Sequence, residues 1–332
     1  MNLIHPPVMQ LYKHILIFIF VSLSVSVFSQ QFEWNGKYEF IADNREYFSP
    51  YGFPQTILQS RMSGEAGIRL DSNQVCMGGV SYTIKHGENH FKEMPILLAY
   101  YRYSHNALTF KAGSFPYKYT LPYVLYTDSL LYTRPNIEGM LCSFENQHIQ
   151  QHFFIDWLFQ QNYGEHEQFM AGTYGIAQYK NVLLRNDFYY LHEAYDIETD
   201  GKQVIDNGAV HIGIGYDFSQ ASSFLDTAHI TIGGLHSWYR FRPDQSVISQ
   251  GVLLLSDVFY NNIGLETTVY YGDKTHINLG DPLYRSGEYT RFNAVFAPRL
   301  HEQVSTSFKF CMHIVDSEIN YSQQIQVTVL LN

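Results

Sequence analysis

The sequence predicts an all-β fold: a transmembrane, antiparallel up-and-down β-barrel of about 16 strands (14–18), with short periplasmic turns and long external loops. Three observations carry that expectation. Apolar and polar residues alternate with a period of two through most of the chain beyond residue 30, the mark of strands with one greasy and one wet face. The alternating segments run to about ten residues and more, which suits a tilted membrane strand better than a strand of a soluble domain. Aromatic residues make up 16% of the chain, with Tyr 27, Phe 24 and Trp 3, as expected of girdles at two membrane interfaces.

The first 29 residues read as a cleaved export signal. Lys13 and His14 flank an apolar run from Ile15 to Phe28, and Ser29 supplies a small residue before Gln30. That run is short of the ~20 helical residues needed to cross a bilayer. Met9 is an alternative start to Met1. The barrel then occupies 30–332. Later apolar runs, such as Pro95 to Ala99 and Val252 to Leu255, are far too short for membrane helices.

Alternation places strands near 32–42, 58–70, 75–85, 95–104, 107–114, 136–146, 149–160, 168–180, 182–193, 207–218, 225–238, 247–258, 263–272, 287–298, 303–315 and 320–332. The register is plainest at Val210, Ile212, Ile214 and Tyr216 against His211, Gly213, Gly215 and Asp217. Connections alternate in length: long ones at 43–57, 115–135, 194–206 and 273–286 lie on one side, and short ones at 71–73 and 104–106 on the other. A secreted β-sandwich or solenoid should have a polar outer face or a fixed repeat, and neither is evident.

The signal ending at Ser29-Gln30, the sixteen alternating segments and the long loop after the fifth strand together resemble the porin-like outer-membrane β-barrels of Gram-negative bacteria, of the Bacteroidota type. The resemblance implies a cell outer membrane location, barrel-insertion machinery as a partner in assembly, and a third external loop that can narrow the lumen. It also allows a homotrimer. The expected function is a passive channel for small hydrophilic solutes, with no cofactor, no metal and no enzymatic activity. The alternatives are an accessory barrel of a secretion or surface-assembly machine, or a barrel enzyme acting on lipid or protein. Outer-membrane lipid and small hydrophilic solutes are the expected partners; a net charge of −10 argues against nucleic acid.

Segment 115–135 is too apolar to stand in water. It is the candidate constriction, with Lys118, Tyr119, Tyr123, Asp128 and Arg134 shaping the narrow point. Lumen-facing candidates, read from the alternation, are Lys37, Arg61, Glu65, Arg69, Asp156, Asp217, Glu266, Arg291 and Lys309, with Glu138 also assigned inward. Charges on the lipid face would cost about 2–4 kcal/mol each. Cys76, Cys142 and Cys311 form no framework or ligand spacing. His148 and His152 share a strand face roughly 13 Å apart at ~3.3 Å per residue, too far to chelate together. Barrel enzymes can carry Ser and His on the outward wall, or acidic and His residues at the external rim. His236 and Ser237, adjacent on a strand, point to opposite faces and form no dyad.

Overall fold

Where apolar side chains recur every second residue, the chain is held extended and every backbone amide must find a partner on a neighbouring strand. The computed structural model describes residues 31–88, 94–160, 166–194, 204–219 and 224–331; the expected export signal lies outside them. The strands are β1 (Phe32–Glu46), β2 (Gln55–Arg69), β3 (Gln74–Lys85), β4 (Ile96–His105), β5 (Leu108–Pro116), β6 (Asn136–Glu145), β7 (Ile149–Phe159), β8 (Glu167–Tyr179) and β9 (Val182–Ala194). They continue as β10 (Val204–Asp217), β11 (Thr227–Arg242), β12 (Val247–Tyr260), β13 (Ile263–Gly272), β14 (Glu288–Phe296), β15 (Arg299–His301), β16 (Val304–Val315) and β17 (Glu318–Leu331).

All neighbours pair antiparallel, and β1 pairs with both β2 and β17, so the sheet closes on itself and leaves no free edge. β15 continues β14 along β16 past a break at Pro298, whose carbonyl accepts from Thr306 Oγ1 at 2.8 Å. The seventeen segments therefore make sixteen staves. No helix among the described residues is long and apolar enough to cross a membrane.

Register sorts side chains by chemistry. Ile212 and Ile214 face Gly234 and Ile232 across β10–β11 and stand exposed on the outer wall, while His211, just before them, points inward and is fully buried. Glu138 departs from the sequence expectation: it alternates with the buried Ile137 and lies exposed on the outside. It sits near the long-loop end of β6, where an outward charge can reach water.

One end carries tight turns, with Asn106, Lys180 and Asn261 at φ 51°, 54° and 50°. The other carries the long loops. Asp316-Ser317 is an exception at that end, a two-residue turn with φ 49° and 68°. The segment 218–226 is the long exception at the tight end.

Two long loops do not stay outside. Segments 117–135, which includes helix α1 (Asp128–Thr133), and 273–287 bend into the lumen and interlock. Thr127 N–H donates to Leu279 O and Asp281 N–H to Tyr123 O, each at 2.8 Å. Gly280 permits this closeness, because a Cβ there would sit 2.0 Å from Val124 O. Val124, Leu125, Tyr126, Ile277, Leu283 and Tyr284 are buried within the resulting core.

Candidate active site on the outer wall

The plug is fastened around the circumference of the lumen. Arg45 of β1 reaches Asp128 at 2.8 Å, Tyr119 OH donates to Asp156 of β7 at 3.2 Å, and Arg185 of β9 donates to Thr120 O at 3.0 Å. Asn207 of β10 donates to His276 O at 2.6 Å, and Arg291 of β14 meets Asp128 at 3.2 Å. Burial alone would raise the Asp128 carboxyl, but Arg291 and Arg45, with Gln324, hold it well below the usual carboxylate range. Asp281 lacks such cations at close range; burial and the neighbouring Asp128 push it up to about 6.

The remaining constriction candidates are also tied down. Lys118 Nζ lies 3.0 Å from Glu39, the Arg291 guanidinium stacks 4.1 Å over the Tyr123 ring, and Arg134 donates to Leu158 O at 3.5 Å. Inward-register residues make similar bonds. Lys37 and Arg61 meet Glu39 at 2.8 and 3.3 Å, Glu65 accepts from Tyr100 OH at 2.7 Å, and Arg69 pairs with Glu33. Asp217 accepts from Gln178 at 3.0 Å, Lys309 meets Glu266 at 2.9 Å, and Arg291 donates to Asn293 at 2.8 Å. These groups brace a wall and a plug.

Reactive geometry lies on the other side of the wall. β3 ends at Lys85 opposite Gln59, whereas β2 rises further, to Gln55 opposite Arg45. The rim drops there, and the chain turns at Gly87 with φ 85°. His86 N–H donates to Leu58 O at 2.8 Å, which lays the imidazole back over β2. His86 Nε2 stands 2.9 Å from Ser60 Oγ, and Tyr38 OH lies 3.2 Å from the same oxygen. Ser60 shares the outward register with the exposed Leu58 and Met62. It is nevertheless only 7% exposed, because Tyr38 and His86 cover it. Beside His86, a cavity of about 420 Å³ runs over the dropped rim, lined by Phe53, Leu58, His86 and Glu88 of the wall and by Thr127 and Asp281 of the plug.

Serine next to an imidazole nitrogen is the arrangement that makes a weak nucleophile reactive. Two other outward or histidine-bearing clusters are less complete. His152 Nδ1 lies 2.8 Å from Ser143 Oγ, but this pair faces the lumen, with the ring stacked on Tyr174. At the rim of β9–β11, Asp206 is held by His192 at 3.0 Å, Tyr190 at 2.8 Å and Arg242 at 2.6 Å, with no serine at hand. Ser237 is buried inward while His236 takes the outer face. Sequence reasoning passed over Ser60 and His86. The available signal was a serine on a lipid-facing register, between Leu58 and Met62.

The chain is similar to the loop L8 deletion mutant of OmpT, an outer membrane protein of Vibrio cholerae, with TM-score 0.56 and 10% identity over 91% of this chain and 99% of that one. It is also similar to the anion-selective porin from Comamonas acidovorans, with TM-score 0.53 and 9% identity over 91% of this chain and 100% of that one. Likeness at that identity shows the fold. No curated protein matches. A family model described as Lipid A 3'-O-deacylase-type matches residues 31–329, and since that is an enzyme family it overturns the expectation of a non-enzymatic barrel. A closed sixteen-stave barrel with a plugged lumen, the chain belongs to the Lipid A 3'-O-deacylase-type family.

Proposed function

We propose that the chain is an outer-membrane esterase that removes an ester-linked acyl chain from a lipid of the outer leaflet, with Ser60 as nucleophile and His86 as general base. The reading rests on the 2.9 Å approach of Ser60 Oγ to His86 Nε2 on the outward wall, near the long-loop end. Acyl chains lying against Leu58 and Met62 bring an ester to the height of Ser60, while the rim cavity accommodates part of the headgroup. His86 takes the hydroxyl proton as Oγ bonds to the carbonyl carbon. Tyr38 OH is the nearest side-chain donor for the developing oxyanion. Collapse breaks the ester C–O bond, and His86 gives the proton to the departing sugar oxygen, which leaves as a hydroxyl. Water, deprotonated by the same imidazole, then cleaves the acyl-serine and releases a fatty acid.

The family match favours this reading over the channel, and so does the lumen: its long-loop half is filled by the interlocked segments. Outer-membrane location, reached through a cleaved signal at 1–29, belongs to the same proposal.

The test incubates the full barrel with lipid A in mixed micelles and follows loss of one acyl chain by mass spectrometry. Wild type should release fatty acid, and Ser60→Ala should lose roughly 10³-fold or more of the rate. A Ser60→Ala barrel that folds normally and keeps the wild-type rate moves the chemistry elsewhere; an inert wild type sinks the esterase.

A further inference from the structure

The short-turn half of the lumen is not filled. Beneath the plug, two adjoining cavities of about 310 and 280 Å³ share Lys37, Ser63 and Pro116 in their linings. Their wall, built by β1–β5 and the foot of the plug, is short of carboxylates. Lys37, Arg61 and Lys118 all converge on Glu39. Arg69 and Arg102 share Glu33, the latter at 2.8 Å. Glu65 is bound by Tyr100 OH. Lys111 has no carboxylate partner among the described residues: its ammonium lies 5.9 and 5.5 Å from the ring centroids of Tyr100 and Phe115.

This patch of excess positive charge belongs to a chain of net charge −10. The wall across the lumen leans the other way. Asp187, Asp217, Asp257 and Glu266 stand there against Arg185 and Lys309, with His211 on Asp187 and His229 on Asp257. Charge is thus unevenly divided between the two walls of the lumen. A half-buried ammonium held over aromatic faces loses part of its hydration and gains only part of it back from the rings. An anion is the partner that completes it.

We propose that this vestibule binds a compact oxyanion, a phosphate or carboxylate carried on a small polar body, with Lys111 as its direct partner and Arg102 and Lys37 flanking it. The site opens toward the short-turn end and is separate from Ser60 and His86 on the outer wall. It stands whether or not those residues cleave esters.

The experiment titrates the full barrel in zwitterionic detergent with inorganic pyrophosphate and with citrate, at low salt, by calorimetry. Binding of either anion that weakens as salt rises is expected. Pyrophosphate alone would assign a phosphate ligand and citrate alone a carboxylate. Lys111→Met should weaken binding about tenfold, as expected for a lost charge-assisted contact, and Glu65→Gln should tighten it severalfold. Ser60→Ala should leave it unchanged. Absence of binding by both anions, or affinity unmoved by Lys111→Met and Glu65→Gln in correctly folded barrels, overturns the proposal.

Discussion

A serine on a lipid-facing register is an anomaly at the scale of the residue, since an unpartnered hydroxyl costs free energy in hydrocarbon. Ser60 avoids that cost by bonding to His86 and Tyr38. Ser60→Ala should therefore change stability by no more than about 1 kcal/mol, the net worth of a typical hydrogen bond. Urea unfolding checks this, and it separates loss of activity from loss of fold. Because nucleophile and base act as one unit, Ser60→Ala with His86→Ala should be scarcely slower than either alone. Single and double variants assayed side by side would decide it. Asp281 gives a pH signature. Its folded pKa, about 6, lies above the ordinary carboxyl value, so the charged form weakens the fold at neutral pH and the penalty fades as pH falls through 6. Asp281→Asn should stabilise the barrel by roughly 2–3 kcal/mol at pH 8, from ~1.4 kcal/mol per pK unit. That gain should be largely gone by about pH 4 in unfolding curves taken across pH.

At the scale of the element, the plug is held by ions and packed by aromatics. Asp128 bridges Arg45 and Arg291, and removing it leaves two buried guanidinium groups short of a partner. Asp128→Ala should cost about 3–5 kcal/mol and loosen the plug, read as intermittent conductance in a planar bilayer where wild type is silent. Deleting 120–132 should give a larger and steady conductance. A sealed bilayer in that deletion would mean that 273–287 closes the lumen unaided. Segment 115–135 was recognisable in the sequence as too apolar for a free loop. Its partner at 273–287 was not, because Ile277, Leu279 and Leu283 are scattered among polar residues and acquire meaning only against Val124 and Leu125.

At the scale of the whole molecule, the barrel inverts the usual rule, with greasy rows outside and polar rows within. Ile212→Arg should cost about 2–4 kcal/mol in a bilayer, where the side chain meets lipid near mid-strand. Ser305→Arg, inward and exposed near the short-turn end, should stay within about 0.5 kcal/mol when both are measured by refolding into vesicles. The sequence by itself determined the staves, the face each side chain takes and the side on which the long loops fall, because a period of two is a local property of an extended chain. Glu138, on a strand with weak alternation, marks the limit of that reading. Only the tertiary structure decided the path of the plug and the meeting of Ser60 with His86. Asp128 and Arg291 lie 163 residues apart, and Ser60 and His86 lie 26 apart across a hairpin. Such contacts depend on barrel closure and on where the rim drops, which no local pattern encodes.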